Sequence, residues 1–241
     1  MRHLAPTALL LALLSGAATA TDLILPDLPP WAEETADDVK KGLAVDIAAA
    51  LQTRSGLPLT VTLRPMPRQI ASLRSDDHSF AVIGLYQDLP DEIVVLGKGF
   101  DLPLLAIAGE HDPAPTPERL RQLSRVGVVH GGAHLLAPGL TKGISFVEIP
   151  DVAAGLKMLE ARRIDALMVS SFTLSSFDKS ALAAYHLGAP QLVFTGRISL
   201  IASAKAASSA DGRSLAAAWD EICGDGTVAR ILASITADNR K

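Results

Sequence analysis

The stretch 42–88 most strongly constrains the fold, because helix and strand patterns alternate along it with polar residues at the turns. Apolar residues recur at helical spacing over 42–54, and a Ser-Gly pair then ends the predicted helix. The β-branched stretch 59–63 predicts a strand, a second helix begins near Arg68, and the apolar run 81–85 predicts a strand buried on both faces. Strands separated by helices in this way favour a parallel sheet with right-handed crossovers.

Polar and aromatic residues at the ends of the predicted strands indicate a binding site in the first half of the chain. Ligands of open parallel sheets bind beyond the carboxyl ends of the strands. An arginine follows one predicted strand, and a tyrosine and a glutamine follow the next. A tryptophan after the proline pair of an early loop either contacts a ligand at the same edge or fills the core. The candidates in this half are Trp31, Arg68, Leu85, Tyr86 and Gln87.

The second half repeats the same order of elements, with predicted strands at 126–129, 146–149 and 164–169 and helix caps at Thr116 and Asp151. A His-Gly-Gly-Ala-His segment follows the first of these strands, and its glycines allow free backbone amides to approach an anion. The hydroxyl side chains after the third strand either line a site or cap a helix. The candidates in this half are His130, Gly131, Gly132, Ala133, His134, Ser170 and Ser171.

The sequence gives little support for a metal ion, a cofactor or catalysis. Two histidines four residues apart could share a helix face toward a metal ion, but a glycine pair interrupts that geometry and no third ligand is evident. The sequence contains no nucleophile elbow, no phosphate-binding glycine loop with lysine and no Cys-His arrangement. Asp88, Asp91 and Glu92 could act as acid and base, although a surface cluster is favoured. We expect neither a cofactor nor a bound metal.

The N-terminus has the three parts of a secretory signal peptide: a basic start, an apolar stretch at 4–14 and a small-residue cleavage site at 18–20. The apolar stretch is too short to span a membrane, so residues 1–20 are expected to be removed. The single cysteine, Cys223, allows neither an internal disulfide nor lipid attachment at the mature N-terminus. These features indicate the periplasm. The formal net charge of −4 and the absence of a basic run argue against nucleic acid and anionic membranes as partners.

The order of these segments resembles that of the periplasmic solute-binding proteins of polar amino acid ABC transporters, the extracellular solute-binding family 3-like, type 2 group. The resemblance implies an α/β, two-lobed periplasmic-binding-protein-like fold of type 2, in which each lobe is a mostly parallel sheet flanked by helices and two crossings join the lobes. Lobe 1 would comprise 21–108 and 196–241, and lobe 2 would comprise 109–195. The segments that carry the resemblance are 28–31, 42–47, 67–73, 163–169 and 225–231.

Two departures from the family bear on the ligand. Leu89-Pro-Asp-Glu92 stands where the family's amino-acid binders usually carry Thr-Pro-Glu-Arg, whose arginine clamps the ligand carboxylate. Ser170 stands where the family usually has the aspartate that accepts the ligand ammonium. A standard α-amino acid is therefore not expected, unless Arg68 binds the carboxylate instead.

We therefore expect a monomeric periplasmic protein that captures a small polar solute in the cleft between the lobes and delivers it to an inner-membrane ABC permease. Closure of the lobes around the ligand would present it to that permease. Two alternatives remain open. The chain could be an accessory or sensory module without a transport role, or a dehydratase-like enzyme on the same fold, which would need a buried acid in the cleft.

Overall fold

The computed structural model describes residues 20–75, 78–85, 89–133, 136 and 141–238. The predicted signal peptide therefore lies outside the described residues except for its last position. The same holds for the predicted site residues Tyr86, Gln87 and His134 and for the candidate acid Asp88.

An eight-stranded sheet forms the centre of the protein, with the strand order β4-β1-β5-β10-β6-β9-β7-β8, and β2 and β3 form a separate hairpin. The strands are β1 (Thr21–Pro26), β2 (Glu33–Glu34), β3 (Lys40–Lys41), β4 (Leu59–Arg64), β5 (Phe80–Leu85), β6 (Ile93–Ile107), β7 (Val126–Val129), β8 (Phe146–Ile149), β9 (Ala166–Ser170) and β10 (Gln191–Ser203).

Helices flank this sheet, and those that follow Gly42, Thr116 and Asp151 begin where the sequence predicted them. The helices are α1 (Leu43–Ser55), α2 (Met66–Ser75), α3 (Pro117–Leu120), α4 (Val152–Glu160), α5 (Ser171–Ser175), α6 (Lys179–Ala183), α7 (Ala204–Ser208), α8 (Ala210–Gly224) and α9 (Thr227–Asp238). Both predicted caps are confirmed, because Thr116 accepts a hydrogen bond from Arg119 N at 3.3 Å and Asp151 accepts one from Ala154 N at 2.7 Å. The residues after the Thr116 cap predict a helix that runs to about Leu123, but α3 ends at Leu120.

Two long antiparallel strands join two parallel half-sheets. β1 pairs in parallel with β4 and β5 in the first half, and β7 pairs in parallel with β8 and β9 in the second. β6 and β10 pair with each other along most of their length, while β10 also pairs with β5 and β6 also pairs with β9. The expected α/β, two-lobed architecture with two crossings is confirmed. The exact lobe boundaries at 108/109 and 195/196 stay a prediction.

The apolar run 104–108 predicts a strand, but β6 is much longer than this run and begins at Ile93. β6 spans 15 residues, and its first part pairs with β10 in the first half of the fold. Gly97 and Gly99 have φ values of 69° and 67°, and Pro103 stands in register with Thr195. Glycine and proline weaken the strand pattern of a sequence, so they concealed a continuous strand.

The core is divided between the two halves of the sheet. The largest apolar cluster surrounds the fully buried Trp219 and packs α1, α8 and α9 against the first half-sheet. Separate clusters around Leu167 and around Met168 cover the two faces of the second half-sheet. Phe172 comes from α5 in the second half, yet it packs in the cluster of the first half beside Trp31. This contact ties the two halves together next to the cleft.

Among the described residues, no helix combines the length and the apolar character needed to cross a lipid bilayer.

Candidate ligand-binding cleft

A cavity of about 120 Å³ lies between the two halves of the fold. Its walls come from the ends of β1 and β5, the beginning of α2 and the Trp31 loop on one side, and from β7, β9 and α5 on the other. The described lining residues are Pro26, Leu28, Pro29, Trp31, Ala44, Met66, Val82, Ile83, Gly84, Leu102, Leu104, Val128, Val129, Gly132, Leu136, Val152, Met168, Val169, Ser170, Thr173 and Ile198. The cavity thus lies beyond the carboxyl ends of the parallel strands, as the sequence predicted.

Helix α1 fixes the loop that carries Trp31. The first amides of α1 bind backbone carbonyls of this loop, with Leu43 N donating to Pro30 O at 3.3 Å and Ala44 N donating to Trp31 O at 2.8 Å. Gly42 precedes the helix at φ 121°, and a Cβ added there would lie 2.6 Å from Trp31 O. Only glycine allows this close approach. The amides of the helix N-terminus thus hold the loop in place.

Trp31 links the two halves across the cleft. Its indole Nε1 donates a hydrogen bond to Thr173 Oγ1 at 3.2 Å, and its ring meets Phe172 edge-on with centroids 5.3 Å apart. The residue is 8% exposed and belongs to the core cluster of the first half. Trp31 therefore fills the core, which was one of the two interpretations of the sequence, and it also forms part of the cavity wall. Its contact with a ligand stays a prediction.

Ser170 caps α5 and also faces the cavity. Its Oγ accepts a hydrogen bond from Thr173 N at 3.0 Å and lies 2.8 Å from Thr173 Oγ1, so the two hydroxyls share a hydrogen bond. Thr173 is 5% exposed and lines the cavity as well. Ser171 is half-buried and is not among the lining residues. Thr173 is one of the hydroxyl residues after the third strand for which the sequence left a site role and a capping role open, and its spacing of three residues from a capping serine is typical of such a hydroxyl pair.

Arg68 does not contribute to the cavity wall, contrary to the prediction. Helix α2 begins at Met66, two residues earlier than expected, so Arg68 is the third helical residue. Successive residues are rotated by about 100° around a helix, which separates Arg68 from its neighbours. Met66 lines the cavity and Gln69 is fully buried, whereas Arg68 is exposed.

The segment at His130 does not supply the free amides that the sequence suggested. Gly131 N donates to Glu148 Oε1 at 3.3 Å and Gly132 N donates to Val129 O at 2.7 Å, so both amides have acceptors. Glu148 Oε2 also lies 2.6 Å from Nδ1 of the exposed His130. The expected anion pocket at these two glycines is wrong, because a carboxylate of the protein itself occupies it.

Of this segment, only Gly132 forms part of the cavity wall among the described candidates. Ala133 is half-buried and is not among the described lining residues. Gly131 is buried, and a Cβ added to it would lie 2.6 Å from Pro67 Cγ, so the second half closely approaches the start of α2 here. The two halves therefore touch at two places, at Trp31 and at Pro67.

The cavity wall is apolar apart from a small hydroxyl cluster. Within the described part of the chain, no lysine, arginine, histidine, aspartate or glutamate lines it. The polar side-chain groups of the described wall are the indole of Trp31 and the hydroxyls of Ser170 and Thr173. The described residues also hold no cluster of three or more side chains suited to a metal ion. Such a cavity suits a ligand that is bound through apolar contacts and few hydrogen bonds.

Two parallel half-sheets, two long joining strands and a cavity between the halves define the fold of the two-lobed periplasmic binding proteins. No family model matches the chain, and no curated protein matches it. Among solved structures, the ligand-binding core of GluR0 in complex with L-glutamate has a TM-score of 0.73 at 13% identity, over 92% of this chain and 100% of that one.

Two further structures show the same fold. The amino acid ABC transporter substrate-binding protein AbpA from Streptococcus pneumoniae, bound to L-arginine, has a TM-score of 0.69 at 15% identity over 92% of this chain and 96% of that one. The VFT2 domain of Bordetella pertussis BvgS has a TM-score of 0.68 at 16% identity over 92% of this chain and 93% of that one. The resemblance seen in the sequence to solute-binding proteins is thus confirmed at the level of the fold.

Proposed function

We propose that this chain is an exported periplasmic solute-binding protein, which captures a small solute between its two lobes and delivers it to an ABC permease. One observation carries the proposal: the cavity has walls from both halves, with Trp31 on one side and Ser170 on the other. A ligand that contacts both walls binds the closed arrangement better than an open one, so binding shifts the population toward closure. A permease could then distinguish loaded from empty protein.

The similar structures support a binding role. Their names describe proteins or domains that hold L-glutamate or L-arginine, or that belong to an ABC transporter. For this chain we propose three further properties: delivery of the ligand to a permease, a periplasmic location and a monomeric state. Tyr86, Gln87 and His134 stay predicted as further ligand contacts.

A thermal-shift screen of small metabolites tests the binding role. Ligand that binds only the folded state adds about 2.7 kcal/mol of stability at 100 times its dissociation constant. We expect at least one compound among amino acids, organic acids, amines, sugars and neutral metabolites to raise the melting temperature in a concentration-dependent way. A screen without any response would contradict the proposal.

Export and transport need separate experiments. Residues 1–20 fused to a reporter enzyme that is active only outside the cytoplasm should yield active, cleaved reporter, and the reporter without these residues should stay inactive. Uptake of the identified ligand by cells should fall when the gene is deleted and recover on complementation. An inactive fusion would contradict export, and unchanged uptake would contradict the transport role.

A sensory or accessory role is the second candidate, because the halves already touch each other at two places. The Trp31–Thr173 hydrogen bond and the Pro67–Gly131 approach both cross the cleft. Small-angle scattering separates the two roles. A transport protein should become more compact when ligand is added, whereas a module closed by its own contacts should keep the same radius of gyration.

The described residues do not favour an enzyme. Glu92, one of the candidate acids, is exposed and pairs with Arg74 at 3.4 Å. The described cavity wall contains no carboxylate that burial could turn into a general acid. Two of the similar structures described above are named as a ligand-binding core and a substrate-binding protein.

A further inference from the structure

We infer that the cavity binds a small, uncharged and largely apolar molecule that carries one hydrogen-bond acceptor. The inference rests on the proposed binding role and specifies the chemical class of the ligand. It departs from the polar solute that the sequence suggested. Three observations support it: the charge of the wall, the proton count of its hydroxyl cluster, and the size of the cavity.

Among the described residues, the wall offers no lysine or arginine to a carboxylate ligand. No lysine or arginine lines the cavity within the described part of the chain, and Arg68 lies on the exposed face of α2. The internal stretches outside the described residues, 76–77, 86–88, 134–135 and 137–140, contain neither lysine nor arginine in their sequence. Placing an ionised carboxylate in an apolar cavity without a charge partner is very unfavourable. The zwitterion of an amino acid therefore does not suit this wall.

The hydroxyl cluster leaves one proton for a ligand. Ser170 and Thr173 bring two hydroxyl protons, and their mutual hydrogen bond at 2.8 Å uses one of them, whichever residue donates. Ser170 Oγ accepts the hydrogen bond of the Thr173 backbone amide, and Thr173 Oγ1 accepts that of the Trp31 indole, so neither donor needs a further acceptor. The second proton has no acceptor in this cluster, and both hydroxyl residues line the cavity. A ligand oxygen that accepts this proton completes the network.

The size of the cavity in this structure matches a single small ring or a short branched chain. Its volume is about 120 Å³. An apolar cavity of roughly 150 Å³ in another protein is large enough for benzene. Trp31, Met66, Met168 and the aliphatic side chains of the wall supply the apolar contacts. Methionine adapts its shape to different apolar groups, so the wall can fit such a ring closely.

Isothermal titration calorimetry with three probes of similar size tests the inference on the wild-type protein. The probes are cyclohexanone, which is neutral and has one acceptor, cyclohexylammonium, which is a cation, and cyclohexanecarboxylate, which is an anion. We expect measurable binding of cyclohexanone and at least tenfold weaker binding of both ions. Binding of either ion, or of L-arginine or L-glutamate, more tightly than cyclohexanone would overturn the ligand class while leaving the binding role intact. No binding by these probes or in the metabolite screen would instead contradict the binding role itself.

A double substitution locates the probe. Ser170→Ala combined with Thr173→Val removes both hydroxyl donors, and we expect cyclohexanone to bind about tenfold more weakly. The indole N–H of Trp31 also loses its acceptor in this variant, but it is held on the opposite wall by the start of α1 and does not take the place of the hydroxyls. Either single substitution leaves a hydroxyl with its proton, so the loss in the double variant should exceed the sum of the two single losses. Ser171→Ala, one residue from the cluster and outside the described lining, is the matched control. Circular dichroism checks that each variant is folded, and unchanged binding by a folded double variant would overturn the assignment. Should the double variant not fold, the three-probe comparison on the wild type decides.

Discussion

Nε1 of Trp31 lies 3.2 Å from Oγ1 of Thr173, and this hydrogen bond crosses the cleft between the two halves of the protein. The indole is held on one side by the start of α1 and the threonine on the other by the first turn of α5. Both residues are largely buried, with 8% of Trp31 and 5% of Thr173 exposed. The bond is therefore a structural link between the halves and part of the cavity wall.

Removing the acceptor of this bond should destabilise the closed protein. Thr173→Val keeps the shape of the side chain but leaves a buried indole N–H without a partner, which costs about 1–3 kcal/mol. Urea unfolding followed by circular dichroism should show this loss in the free energy of unfolding. Ser171→Ala should change it by less than about 0.5 kcal/mol. Equal stabilities of the two variants would show that the link contributes nothing.

Substitution of Gly42 should displace the Trp31 loop. In Gly42→Ala, the new Cβ would lie 2.6 Å from Trp31 O and 2.8 Å from Pro30 O at a positive φ of 121°. Both the contact and the backbone conformation are unfavourable, so we expect a loss of more than about 2 kcal/mol in the free energy of unfolding and weaker ligand binding.

Gly224→Ala is the control for this substitution. Gly224 lies at the end of α8, and a Cβ there would meet no atom within 4 Å. Its stability should stay within about 1 kcal/mol of the wild type, because alanine is the better helix former. A Gly42→Ala protein as stable as this control would contradict the tight approach between α1 and the loop.

Acid should weaken the contact between α1 and the junction of α8 and α9. The hydrogen bonds from Thr227 and the guanidinium of Arg54, 2.6 Å away, hold the pKa of Asp225 well below its usual range. The native pKa is lower than the unfolded value of about 3.9, so the unfolded state takes up the proton first as the pH falls. The contribution of ionised Asp225 to the free energy of unfolding is thus full above about pH 5 and is lost progressively below it.

Asp225→Asn should therefore reduce the dependence of stability on pH between about 5 and 3, measured by urea unfolding at each pH. Asp165 offers a parallel case in the second half, where the Arg125 guanidinium at 2.6 Å lowers its pKa. Asp165→Asn should also reduce the acid dependence, and the two effects should add because the residues share no partner. Acid profiles of both variants that overlay the wild type would rule out these ion pairs as its cause.

The sequence predicted the order and type of the elements more reliably than the composition of the cleft. Periodicity and caps are local properties, so α1, α4 and the strands β4, β5, β7 and β8 were found close to their observed positions. The position of Trp31 after a strand, and the dual role of Ser170 as a cap and a wall residue, were also accessible from local sequence.

The orientation of Arg68 and the apolar nature of the cavity were not accessible. A shift of two residues in the start of α2 turned the arginine outward and Met66 inward, and helix boundaries are the least certain part of sequence interpretation. The wall combines Met66, Leu104, Val152 and Met168, which come from four separate elements. The local sequence pattern predicts an ordinary core position for each of them, so only the tertiary structure shows that they surround one cavity.

Cys223 should be unreactive in the folded protein and should make stability fall in alkali. Burial, followed by the carboxylates of Asp220 and Asp225, raises the pKa of this half-buried thiol to about 12. The unfolded value is about 8.5, so the unfolded state loses its proton first as the pH rises. The contribution of the protonated thiol to the free energy of unfolding is therefore full below about pH 8.5 and decreases above it. Labelling with iodoacetamide at pH 8 should be slow in buffer and fast in denaturing urea.

Cys223→Ala separates the thiol from the tyrosines and lysines that also titrate in alkali. The difference in unfolding free energy between wild type and this variant should be constant from pH 6 to 8. From pH 9 to 11 the wild type should lose stability relative to the variant. The thiolate is the reactive form, so slow labelling and the alkaline shift have the same cause. Equal labelling rates in buffer and urea, or a difference that does not change with pH, would show that the environment of Cys223 leaves its ionisation unaltered.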